Sequence, residues 1–144
     1  MSCSDNFKAV KPSPSYTLRL PEDVCLRVDG QVTSFYRKGE SLLLQLSSYI
    51  RNEGKQVGAT ERLKERMSKH GGKRRLRKSN IHAPEESLDQ AAVEFVDESG
   101  VLWIYAYLVW PHVTVYATLS ASESEISQAE WAMDALGSIR LAIQ

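Results

Sequence analysis

The chain predicts an α+β fold, an antiparallel β-sheet flanked by helices, and three observations carry that prediction. Apolar residues alternate with a period of two in YTLRL (16–20), SLLLQLSSYIR (41–51), QAAVEFV (90–96) and HVTVYATLS (112–120), the spacing that turns successive side chains to opposite faces of a strand. VLWIYAYLVW (101–110) is apolar or aromatic throughout and reads as a central strand buried on both faces. Helical spacing appears in only two places, residues 59–70 and the stretch that follows Ser122.

Taken in order, residues 1–15 are polar, carry Pro12 and Pro14, and are expected to form a mobile or extended lead-in to a single domain over 16–144. YTLRL is a short strand stopped by Pro21. LRV (26–28) and VTSFYR (32–37) flank the turn-forming pair Asp29-Gly30 and predict a hairpin. In 41–51, Leu42, Leu44, Leu46 and Ile50 share the face assigned to the core. Leu63 and Met67 lie one turn apart in ATERLKERMSKH (59–70), an amphipathic helix ended by Gly71-Gly72. A long polar loop, 71–87, leads to the strand at 90–96. Glu98-Ser99-Gly100 turns it into the apolar run, and Pro111 turns that run into HVTVYATLS, where Val113, Val115, Ala117 and Leu119 point one way. Ser122 and Glu125 have the spacing of a capping box at the start of a last helix. Its expected buried stripe is Ile126, Ala129, Met133 and Leu136, with Trp131 beside it and Gly137 loosening its end.

A chain of 144 residues suits one domain and buries roughly 68–70% of its unfolded surface. No stretch approaches the roughly 18 apolar residues of a membrane helix, and the first residues lack the apolar run of a secretory signal. The expected location is the cytoplasm. Two cysteines, Cys3 and Cys25, are too few for a disulfide scaffold and fit a reducing compartment.

The net charge of zero hides an asymmetry. Residues 59–78 hold nine Lys or Arg against Glu61 and Glu65, a balance of +7, whereas residues 85–144 hold ten acids against Arg140, a balance of −9. Five cations, Lys73, Arg74, Arg75, Arg77 and Lys78, fall within six positions directly after Gly71-Gly72.

The order of strands and helices resembles the PsbP-like superfamily, whose α/β/α sandwiches include the Ran-binding Mog proteins and many small bacterial proteins. The residues carrying the resemblance are LPEDV (20–24), SLLLQLSSYI (41–50), the aromatic meander and WAMDALGSIR (131–140), within a match spanning 16–142. Small bacterial members include chaperones of secreted toxins and toxin-immunity proteins, so the resemblance implies binding to a protein partner encoded by a neighbouring gene. The superfamily shares a fold and not one site, and no ligand-binding residue carries over.

The residues themselves show no catalytic signature. His70, His82 and His112 lack metal-ligand spacing to one another or to Cys, and neither a nucleophile elbow, a phosphate loop nor a dinucleotide fingerprint is present. Asp97 and Glu98 read as solvated charges of a hairpin turn rather than an acid–base pair. No cofactor and no metal is expected.

Two candidate binding surfaces remain. The basic run 73–78, extended upstream by Arg62, Lys64, Arg66 and Lys69, reads as a solvated connector, as a grip for nucleic acid phosphates, or as a dock for an acidic protein. Aromatic residues that would stack on single strands are absent from 59–84. The second surface is the aromatic series Tyr49, Trp103, Tyr105, Tyr107 and Tyr116, which is either core or a partly open sheet face of the kind protein interfaces favour. The expectation from the sequence is a non-enzymatic protein-binding domain that neutralises or chaperones a toxin or secreted effector. Nucleic-acid association through 73–78 is the alternative.

Overall fold

The computed structural model describes residues 7–50, 58–69, 77–79, 81–84, 87 and 89–141. Its elements run β1 (Phe7–Ser13), β2 (Tyr16–Pro21), β3 (Cys25–Asp29), β4 (Val32–Tyr36), β5 (Leu43–Ile50), α1 (Ala59–Lys69), β6 (Arg77–Lys78), β7 (Asp89–Val96), β8 (Val101–Val109) and β9 (Val113–Ser122). A 3-10 helix (Glu123–Gln128), α2 (Glu130–Gly137) and β10 (Arg140–Leu141) complete the described chain.

Antiparallel pairing builds a seven-stranded sheet in the order β3-β4-β5-β9-β8-β7-β6 and a three-stranded sheet in the order β1-β2-β10. The turns expected from sequence do the joining: Gly30 and Gly100 take φ of 63° and 80°, a left-handed backbone that only glycine adopts without strain. Because the residues of 43–50 alternate, Leu44 and Leu46 point to one face of the large sheet together with Phe35, Ala117, Leu119, Ile104 and Leu108. The small sheet and α2 close over this face, and the main core lies between them, with Tyr16, Leu18, Leu20, Trp131, Ala132, Leu136 and Ile139 buried. On the opposite face α1 packs Ala59, Leu63 and Met67 against Phe95, Tyr107 and Val109. The layers are therefore α1, the large sheet, and the small sheet with α2.

The structure changes several details expected from sequence. Five strands precede α1, one more than the four named from sequence. Phe7–Ser13, within the anticipated mobile lead-in, pairs along β2, and its register shifts between Val10 and Ser13, around Pro12. An edge strand tolerates proline there because its outer side needs no ladder donor. Ile50 has the parity of the core face but lies at the strand end, 57% exposed.

The capping box does not form: Ser122 makes no side-chain cap hydrogen bond. Glu125 instead accepts from the Ser41 hydroxyl and backbone N–H at 2.6 and 2.8 Å, and those two donors, the hydroxyl first, hold its carboxyl below the usual carboxylate range. The last helix is also two pieces, and three residues per turn in the first piece change the phase at which α2 begins. Hence Trp131, Ala132, Ala135 and Leu136 are the buried residues of α2, while Ile126 is exposed. Gly137 serves close approach: a Cβ there would meet the His82 Cβ and carbonyl oxygen at 3.3 Å.

Asp97 is no free surface charge. Its Oδ1 accepts from the N–H groups of Ser99 and Val101, and its Oδ2 from Trp103 Nε1 at 2.9 Å, so one carboxylate closes the β7–β8 turn and fixes an indole. Asp97→Ala is expected to cost about 2 kcal/mol, since hydrogen bonds to a charged group contribute about 1.5–3 kcal/mol. Urea denaturation checks this, and Asn at the same place should recover part of the loss.

Candidate functional site

Period-two spacing puts Trp103, Tyr105 and Tyr107 of β8 on the α1 face of the large sheet. Register then brings Phe95 opposite Trp103, Val93 and Thr118 opposite Tyr105, and Tyr116 opposite Tyr107. The rings form a continuous array, edge-to-face except at the tilted Tyr107–Tyr116 pair. Centroids are 6.1 Å apart for Trp103 and Tyr105, 5.5 Å for Phe95 and Tyr105, 6.2 Å for Tyr105 and Tyr116, and 4.7 Å for Tyr107 and Tyr116. All lie within the separations at which aromatic pairs attract.

Helix α1 covers one half of this face. Its first turn is held from a distance, by Asp89 of β7, whose Oδ2 accepts from the Ala59 N–H at 2.8 Å. It packs on β7 and β8, and Tyr107 beneath it is only 4% exposed. At the flank of the helix Arg66 donates from Nε to the Tyr107 hydroxyl at 2.6 Å and stacks its guanidinium 3.8 Å from the Tyr116 ring centre. Burial works against the Arg66 charge, but the Tyr107 hydrogen bond and the phenol oxygens of Tyr116, Tyr107 and Tyr49 more than offset it. Burial also drives the Tyr116 hydroxyl well above the ordinary tyrosine range, so it stays a neutral donor and acceptor.

Beyond Arg66 the sheet face is open. Trp103, Tyr105 and Tyr116 are half-buried, and Tyr49 is 41% exposed. The floor continues through Gln45 and Ser34, joined by a 3.1 Å hydrogen bond, and through Ser47, which reaches the Tyr49 hydroxyl at 3.4 Å. A shallow cleft of about 120 Å³ lies over Val32, Gln45, Ser47, Tyr116 and Thr118. At the end of β5, a groove of about 510 Å³ between Pro12–Tyr16, Gly30 and Gln31 takes in Tyr49 and the exposed Ile50. A third hollow, about 380 Å³, opens on the other face between Leu102, Ile104 and Leu119 of the sheet and Met133 of α2.

The described cations of the basic run lie apart from the open half of the aromatic face, whereas Arg66, upstream of the run, joins that face. Lys73, Arg74 and Arg75 lie outside the described residues, as does His70. Arg77 and Lys78 form β6, the far edge strand beside β7, and α1 stands between it and the open half of the face. Past it, Ile81 and Ala83 pack against the main core, so the described part of the 71–87 segment is not simply a solvated connector. Sequence reasoning missed the placement of Arg66, whose aromatic partners are 41 and 50 positions away. The one local signal was Arg62 and Arg66 at i,i+4 beside the Leu63–Met67 stripe. Among the described residues no three His, Cys, Asp or Glu side chains gather where they would hold a metal, and no helix is long and apolar enough to cross a membrane.

No family model matches the sequence, and no curated protein does. Solved structures do. The solution structure of cyanobacterial PsbP (CyanoP) from Synechocystis sp. PCC 6803 superposes with a TM-score of 0.63 over 98% of this chain and 94% of its own, at 15% identity. A protein from Bacteroides thetaiotaomicron VPI-5482 gives 0.58 over 88% of this chain at 10% identity, and this chain spans only 44% of that one. Such low identities speak to the fold alone. The sheet order, the two flanking helices and these superpositions agree: the chain has the PsbP-like α+β fold.

Proposed function

We propose that this chain is a non-enzymatic, cytoplasmic protein-binding domain that neutralises or escorts a partner, in the manner of a toxin-immunity protein or toxin chaperone. The observation that carries the reading is the half-covered sheet face. Helix α1 packs on β7 and β8, while Tyr49, Tyr105 and Tyr116 and the amide and hydroxyl groups of Gln45, Ser34 and Thr118 are left beside it. Rigid aromatic rings with polar tips, set on strands, supply contact area at low entropic cost, and such residues dominate interface energetics. The resemblance to small bacterial PsbP-like proteins supports the partner class.

The test is surface-binding kinetics with the product of the neighbouring gene. Tyr49→Ala and Tyr105→Ala should speed dissociation about 10- to 100-fold, with circular dichroism showing that both variants fold. Replacing Lys73, Arg74, Arg75, Arg77 and Lys78 by Ser should mainly slow association, and less so at high salt. The reading falls if the neighbouring product does not bind, or if neither set of substitutions alters the kinetics. A gel shift of micromolar affinity at physiological salt would replace it with nucleic-acid binding through 73–78.

A further inference from the structure

We infer that the open half of the α1 face takes an acidic segment of a protein, with Arg62 and Arg66 as receptors for its carboxylates; the inference rests on the protein-binding reading and names the chemistry of the partner.

The charge distribution around the face argues for this. Strands β4, β5, β8 and β9, the middle of the sheet, contain no charged residue. The floor between β3 and α1 is therefore neutral, built from Ser34, Gln45, Thr118 and Tyr105 in one cross-strand row and from Ser47 and Tyr116 in the next. That floor has cations on both sides. Arg27 of β3 stands at the outer end of the first row, opposite Ser34. Arg62 and Arg66 stand along the flank of α1.

Both helix arginines are half-buried, and among the described residues neither has a carboxylate within ion-pair distance. Arg62 Nε is buried and without a hydrogen-bond acceptor among those residues. Arg66 commits Nε to Tyr107 and its π face to Tyr116. Those contacts hold the guanidinium still. A half-desolvated cation without a counter-charge is costly, and a planar guanidinium answers that cost best with a bidentate carboxylate. The immobilised fork loses little further entropy on binding, and Tyr116 and Tyr49 add hydroxyl donors beside it.

The spacing selects the ligand further. Side chains at i and i+4 of a helix start about 5–6 Å apart, and alternate residues of an extended chain are about 6.6–6.8 Å apart on one side. Two acidic residues separated by one other, in extended conformation, meet both arginines. The three strand spacings from β3 to β9 make a floor about 14 Å across, wide enough for one extended chain with its side chains.

The test uses a blocked five-residue peptide in which two glutamates alternate with three phenylalanines, its glutamine analogue, inorganic phosphate and a ten-nucleotide thymidine strand. Binding is followed by calorimetry and by the side-chain Nε–H resonances of the arginines. The glutamate peptide should bind at least tenfold more tightly than the glutamine analogue and shift the Arg66 resonance. Arg66→Met should remove that preference, Arg62→Met should reduce it, and Arg66→Lys should restore less than half of it, because the fork is lost while the charge stays. Circular dichroism of each variant guards against misfolding. If the two peptides bind equally, the carboxylate receptor is refuted while a sheet-face protein interface stands. If neither peptide binds, or the methionine variants keep the preference, the inference is overturned, whatever the neighbouring gene product does. Tighter binding of phosphate or of the thymidine strand than of the glutamate peptide also overturns it and assigns the arginines to phosphates.

Discussion

Trp110→Ala is expected to lower the free energy of unfolding by about 3–5 kcal/mol, the range for removing a large aromatic side chain from a core. Trp110 ends the apolar run, closes the β8–β9 turn with a 2.8 Å hydrogen bond from its N–H to the Val113 carbonyl, and is 3% exposed within the main core. Its indole cannot be replaced by water without wetting apolar surroundings, so the cavity term adds to the lost burial. Trp103, on the other face of the same strand, is half-buried and tied to Asp97. Its alanine variant should lose less, about 1–3 kcal/mol. Equilibrium urea unfolding with an unchanged slope measures both, and a loss below about 1 kcal/mol at Trp110 would contradict its place in the core.

Two tyrosines of the aromatic face should behave in opposite ways. Tyr107 is buried under α1 and accepts the Arg66 hydrogen bond. Tyr107→Ala removes the ring on which Leu63 and Met67 sit, and should cost about 3–5 kcal/mol. Hydrogen exchange of the α1 amides should accelerate more than that of β5 and β9, because this helix is held to the sheet through only Ala59, Leu63 and Met67 among its buried residues. Tyr49, 41% exposed at the end of β5, should change stability far less, by about 1 kcal/mol or under, when replaced by Ala. For that reason Tyr49, not Tyr107, is the substitution that reads out binding without unfolding. Equal and large losses at Tyr49 and Tyr107 would mean that the face is core throughout.

Much of the fold was legible in the residues themselves, and the reason is local. Alternation in 43–50, 89–96 and 113–122, the apolar run of β8, the Asp29-Gly30 turn and the Leu63–Met67 stripe are each confined to a few neighbouring positions. Strand parity and helix phase follow from backbone geometry, so these letters dictate which side chains share a face. They do not dictate what covers that face. The first strand was hidden because its pattern is weak and its prolines are tolerated only at an edge, a property of its neighbours rather than of its sequence. The capping box failed because Ser41 lies beside Glu125 in space, though 84 positions away, and competed for its carboxylate. The sequence by itself determined the antiparallel α+β fold, its central strand and the aromatic series on one side of it. The tertiary structure alone decided that α1 spans only part of that series and that Arg66 sits on Tyr116. It also decided that the cations of β6 fall at the opposite edge, since side-chain meetings across the sheet depend on strand order, and strand order is set by long-range pairing.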